Sequence, residues 1–113
     1  MIKPPEIIQF VGVSDLPAEE QETVYRISTE QYEKIRRSVN NLTELIVHIK
    51  TYHTDGERKK YSLHVRAIVP TQKPFDSSKS DDWELSRALH KAFDDIKHQI
   101  AHKFHSDVTR PRG

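Results

Sequence analysis

His98 and His102 are four residues apart, the spacing that puts two imidazoles on one side of a helix and offers two ligands to a metal ion. His105 follows on the same side. A metal centre needs a third ligand and a shell that orients the imidazoles, and no HExxH pattern supplies them. The histidines are therefore read as cations tunable by pH, and no metal is expected. Asp81-Asp82 and Asp94-Asp95 are doublets of adjacent carboxylates. Adjacent side chains on a helix diverge by about 100°, so neither doublet forms the convergent pair of general acid–base catalysis. They read as helix-cap and salt-bridge groups. The chain has no cysteine, which removes thiol nucleophiles, thiolate metal sites and disulfides. Its three glycines form no phosphate-cradling loop. Neither a catalytic residue, a cofactor nor a small-molecule substrate is expected.

What remains is basic chemistry. The formal net charge is +1, but it is unevenly spread. Residues 1–33 hold two cations against seven carboxylates, net −5, which leaves +6 for residues 34–113 before any histidine is protonated. Arg36, Arg37, Lys50, Lys60, Arg66, Arg87, Lys91, His98, His102 and Lys103 are the candidate contacts to RNA. Side chains that neutralise phosphates release counterions, so such binding weakens steeply with salt. Arg87, Lys91, His98, His102 and His105 form an outward stripe along the last helix. Arg87 and Lys91 in it read as solvated cations whose reversal would leave stability nearly unchanged. Tyr52 and Trp83 read as core or edge aromatics, with base stacking the alternative.

These side chains need elements to position them. Residues 6–13 (EIIQFVGV) form a short apolar, β-branched run, read as a buried strand. Pro17, with Glu19 and Glu20 behind it, starts a helix that runs to about Ser38 and buries Val24, Ile27, Tyr32, Ile35 and Val39. Glu30–Lys34 and Glu33–Arg37 are expected ion pairs on its outer side. Residues 43–52 and 58–69 alternate cleanly and flank the hairpin signal Asp55-Gly56. One face of the hairpin carries Leu45, Val47, Ile49, Tyr61, Leu63, Val65, Ala67 and Val69. The other is mixed and includes His48, Lys50, Lys60, His64 and Arg66. Alternation of this kind places helices on one side and solvent or a partner on the other. Residues 72–75 or 75–78 form a short edge strand, because Pro74 is tolerated only at an edge or bulge, or else a loop. Ser80 or Asp81 caps a last helix with Leu85, Leu89, Ala92, Phe93, Ile96, Ile100 and Phe104 on its apolar face. The fold class is α+β, in the order β-α-β-β-β-α, with a small, mostly antiparallel sheet and two helices on one face. Residues 1–105 make one domain, and 106–113 read as a disordered tail.

The last helix also carries a resemblance. Its start, Asp82-Trp83-Glu84-Leu85-Ser86-Arg87-Ala88-Leu89-His90-Lys91-Ala92-Phe93-Asp94-Asp95-Ile96, resembles the final helix of the ribosome hibernation promoting factors, a family that includes the ribosome-associated inhibitors. The Lys/His-rich continuation, Lys97-His98-Gln99-Ile100-Ala101-His102-Lys103-Phe104-His105, is similar to that family's helix end. With the element order, the likeness spans about residues 6–105 and corresponds to the family's short form. It implies a fold like that of double-stranded RNA-binding domains. It also implies binding to the small ribosomal subunit, where the protein would occlude the tRNA and mRNA path and repress translation. A generic RNA-binding or protein-interaction module is the alternative, and a small histidine-based metal-binding protein a third. No run of about 18 apolar residues is present and no signal-peptide pattern opens the sequence, so no membrane partner and a cytoplasmic location are expected.

Overall fold

The computed structural model describes residues 5–39, 41–53, 58–70, 72–78 and 80–108, with side chains as far as 103. Strand β1 (Ile8–Val11) leads through a 3-10 turn (Val13–Asp15) into helix α1 (Ala18–Ser38). Strands β2 (Glu44–His53) and β3 (Lys59–Ile68) follow, then the short strands β4 (Phe75–Asp76) and β5 (Ser80–Asp82), and finally helix α2 (Leu85–Val108). The class is α+β, as the alternation and helical periods predict. Among the described residues the sheet has five strands in the order β1-β2-β3-β4, with β5 also on β3, and of these pairs only β1–β2 is parallel.

The β2–β3 ladder fixes the two faces of the sheet. Leu45 faces Ala67, Val47 faces Val65 and Ile49 faces Leu63, and all six are buried. A period of two puts the intervening residues on the opposite side, so the ladder sorts core from surface by itself. α2 supplies Leu85, Ala88, Leu89, Ala92, Phe93, Ile96 and Ile100 to the core, a continuous helical stripe. From α1 come Val24, Ile27 and Ile35, and the polar Ser28 and Gln31 are buried beside them. Tyr32, expected in the core, is only partly buried. Phe10 of β1 meets Tyr25 of α1 edge-on, ring centroids 5.0 Å apart, which joins the crossover helix to its strand.

Several boundaries differ from the sequence reading. β1 is an edge strand of four residues, and Val11 on it is 47% exposed. It stops at Gly12, which takes φ +89° to turn the chain into the 3-10 segment. The outer ion pairs of α1 are Arg26–Glu30 at 3.8 Å and Glu33–Arg36 at 3.0 Å rather than the two expected. α2 continues to Val108, so residues 106–108, read as tail, are helical. Residues 109–113 and the Asp55-Gly56 turn lie outside the described residues, as do the side chains of Phe104 and His105.

The second edge of the sheet, beside β3, departs most. Instead of one short strand there are two, and their registers on β3 disagree by one residue. Asp76 stands opposite Arg66, yet Ser80 stands opposite Leu63. This is the geometry of a bulge, in which an extra residue interrupts the ladder and re-aims the edge. Ser77 bridges the break: its amide donates to the Val65 carbonyl at 2.9 Å, and its hydroxyl accepts from the Val65 amide at 2.8 Å. α2 holds the same stretch from the core side. The Ser78 amide donates to Asp95 Oδ2 at 2.6 Å, and Gln99 Nε2 donates to the Asp76 carbonyl at 2.7 Å.

Gly12 gives the sharpest test of the β1 turn. Its φ lies where only glycine is at ease, and a Cβ there would collide with the Ile49 carbonyl oxygen. Gly12→Ala is expected to cost about 1–3 kcal/mol or more in urea denaturation, well beyond the few tenths of a substitution at an unstrained surface site.

Candidate nucleic-acid interface

With both helices on one side, the other face of the sheet is open. Its β2 row reads Glu44, Ile46, His48, Lys50 and Tyr52, and its β3 row Lys60, Ser62, His64, Arg66 and Ile68. Lys50, Lys60 and Arg66, three of the sequence candidates, therefore share this face with His48 and His64. The remaining seven do not. Arg36 and Arg37 occupy the last turn of α1, where cations suit the negative end of the helix dipole, and Arg36 binds Glu33. Arg87, Lys91, His98, His102 and Lys103 are exposed along α2. The ten candidates thus occupy three separate places.

The open face is polarised along its length. At one end Asp76 Oδ1 takes Arg66 Nε at 3.0 Å and His64 Nε2 at 3.3 Å, so this carboxylate is already engaged. Glu44 lies at that end too, opposite Ile68. At the other end the cations stand beside aromatic rings. Lys50 Nζ is 5.9 Å from the centre of the Tyr52 ring. Trp83 has Arg58 at 4.0 Å and Lys60 at 5.5 Å from its ring centre. Such cation–π distances contribute about 0.5–1 kcal/mol at exposed sites and fix the rings in place. Tyr52 remains 42% exposed and Trp83 43%, so of the two readings, core or edge, neither ring takes the core one. Rings held beside cations on an open sheet can stack on bases while the cations meet phosphates.

Arg58 and the setting of Trp83 were missed by sequence reasoning. The signal was the pairing of β3 with β5, which puts Asp82 opposite Tyr61 and so brings Trp83 over the start of β3. Residues 80–82 read as a helix cap, and that concealed the pairing.

The stripe on α2 is also different in kind from a row of solvated cations. Asp82 is only 7% exposed and binds Lys91 Nζ at 2.9 Å and Arg87 Nη1 at 3.7 Å. Its Oδ1 also accepts the Glu84 amide at 2.9 Å, so Asp82, rather than Ser80 or Asp81, caps α2. Arg87 and Lys91 are structural partners of a buried carboxylate, and reversing their charge would leave Asp82 among like charges. Reversal of the two charges is therefore expected to lower stability. Along the rest of α2, His98 lies beside Asp95. Among the described residues no group of three histidine, cysteine, aspartate or glutamate side chains is close enough to hold a metal ion. Among the same residues no helix is long and apolar enough to cross a membrane. No protein-family model matches the chain, and no curated protein is significantly similar to it.

Two carboxylates that anchor α2 should show in acid. The Glu84 amide and then Lys91 hold Asp82 below the usual carboxylate range, and the Ser78 amide does the same for Asp95. A carboxylate with a lowered folded pKa contributes stability that is complete above the unfolded value of about 3.9 and is lost as pH falls through the folded one. Thermal unfolding followed from about pH 6 to about pH 2 should show Asp95→Asn less stable than wild type at the upper end. The two curves should then converge as acid protonates the wild-type carboxylate.

Proposed function

We propose that this protein is a ribosome-binding hibernation or stress factor of the cytoplasm, with no catalytic step of its own. It would sit on the small subunit, occupy the path of tRNA and mRNA, and repress translation by occlusion. The observation that carries this reading is the open sheet face, where Lys50, Lys60 and Arg58 stand beside the exposed rings of Tyr52 and Trp83. Ribosomal RNA is recognised through phosphate, 2′-OH and stacking contacts, for which a rigid sheet with fixed cations and rings is suited. The resemblance of residues 82–105 to the final helix of the hibernation factors, and the small α+β architecture, point the same way. The implied likeness to double-stranded RNA-binding domains belongs to this proposal.

A second reading, a general RNA-binding module, has one observation in its favour: exposed ring–cation pairs suit any unpaired strand. Sedimentation through sucrose gradients with purified small subunits separates the two. The wild-type protein should travel with the subunits at low salt and leave them at high salt. Lys50→Glu with Lys60→Glu should release it and lower the log–log salt slope by about two, with thermal stability nearly kept, because both ammonium groups lie on the open face. Protein left at the top of a low-salt gradient beside intact subunits contradicts the ribosome reading. Equal affinity for free RNA favours the general module.

A further inference from the structure

Between β2 and β3 the open face sinks into a small dent of about 110 Å3, lined by His48, Lys50, Tyr52, Ser62 and His64. Its chemistry is one-sided. Two imidazoles, an ammonium, a hydroxyl and a phenol surround it, and among the described residues no carboxylate does. The ladder sets its shape. His48 faces His64 and Lys50 faces Ser62, two successive same-face pairs. Facing Cβ atoms in such pairs are about 5 Å apart, and successive pairs about 7 Å along the strand. Four donor side chains therefore rise from the corners of a small rectangle. Ser62, only 8% exposed, lies deepest, and Tyr52 flanks the dent as an exposed wall.

We propose that this dent binds one backbone phosphate of single-stranded RNA, with the preceding or following base laid on Tyr52. Lys50, the Ser62 hydroxyl and the two imidazoles would donate to the phosphate oxygens, and charge-assisted donors of this kind are the strong ones. A paired duplex keeps its bases in the stack and offers none to the ring, so the occupant is a single strand. The inference rests on the RNA-binding reading above for its polymer, and adds the strand state and the phosphate site.

The charged and titratable groups facing the two histidines are Lys50 and Tyr52 from β2, Arg66 from β3, Asp76 from β4 and, beside Ser62, Asp81 from β5. β1 contributes only Gln9 and Val11. Asp76 binds His64 and Arg66 from outside the dent and orients the imidazole without entering it.

The test is fluorescence anisotropy with a labelled oligouridylate of about ten nucleotides and, separately, a labelled RNA hairpin duplex. The single strand should bind more tightly than the duplex. His48→Asn with His64→Asn should weaken binding about threefold or more, and Tyr52→Ala about tenfold, with circular dichroism melts verifying that each variant folds. Wild-type affinity in both variants overturns the phosphate site. Equal binding of the duplex overturns the single-strand occupant. Dent-dependent binding of the oligonucleotide without co-sedimentation would leave this site standing and remove the ribosome. Co-sedimentation unaffected by these variants would do the reverse.

Discussion

Asp82 ends β5 with its carboxylate turned to the helix side, where it takes the Glu84 amide, Lys91 and Arg87 together. One side chain thus ties the last strand to the first two turns of α2. The helix it sets in place contributes the largest share of the core, from Leu85 to Ile100, and its Asp95 and Gln99 reach back to hold the interrupted edge. Strand alternation gives the same short stretch a second role. The residue after Asp82 emerges on the other face, and there Trp83 meets Arg58 and Lys60. Packing on one side and the candidate interface on the other are fixed by two adjacent residues.

This arrangement divides the basic residues of the chain by what they already do. Arg36, Arg66, Arg87 and Lys91 have carboxylate partners within the protein. Lys50 and Lys60 have aromatic rings instead, and a ring leaves an ammonium its charge and most of its donors. A ligand phosphate gains more from the second kind than from the first, because among the described residues no internal ion pair has to be broken. The uneven charge of the sequence therefore marks the region of interest but not the residues in it. Geometry turns attention from the back of α2 to the open side of the β2–β3 ladder.

Much of the fold was legible because strong periodicity leaves few alternatives. The alternation of residues 43–52 and 58–69 specified the ladder and both its faces, including the mixed face of His48, Lys50, Lys60, His64 and Arg66. The start of α1 followed from Pro17 and the carboxylates behind it, and the apolar stripe of α2 from a helical period. The edge was not legible. Its two strands have two and three residues, too few to show any period, and Pro74 breaks the run ahead of them. Ser77 replaces part of the ladder with its side chain, a substitution visible only in three dimensions. Because Ser80 and Asp81 read as cap residues, the place of Trp83 and the role of Arg58 stayed hidden. The pairing of Arg87 and Lys91 with Asp82 stayed hidden with them.

The central claim is that RNA meets the open sheet face rather than the helical layer. Ultraviolet cross-linking of the protein to small ribosomal subunits, with the adduct-bearing peptides identified by mass spectrometry, tests it directly. Adducts are expected on the β2 and β3 peptides that carry Lys50, Tyr52 and Lys60 and on the peptide that carries Trp83. Adducts confined to α1 and to the exposed side of α2 around His98 and His102 would contradict it.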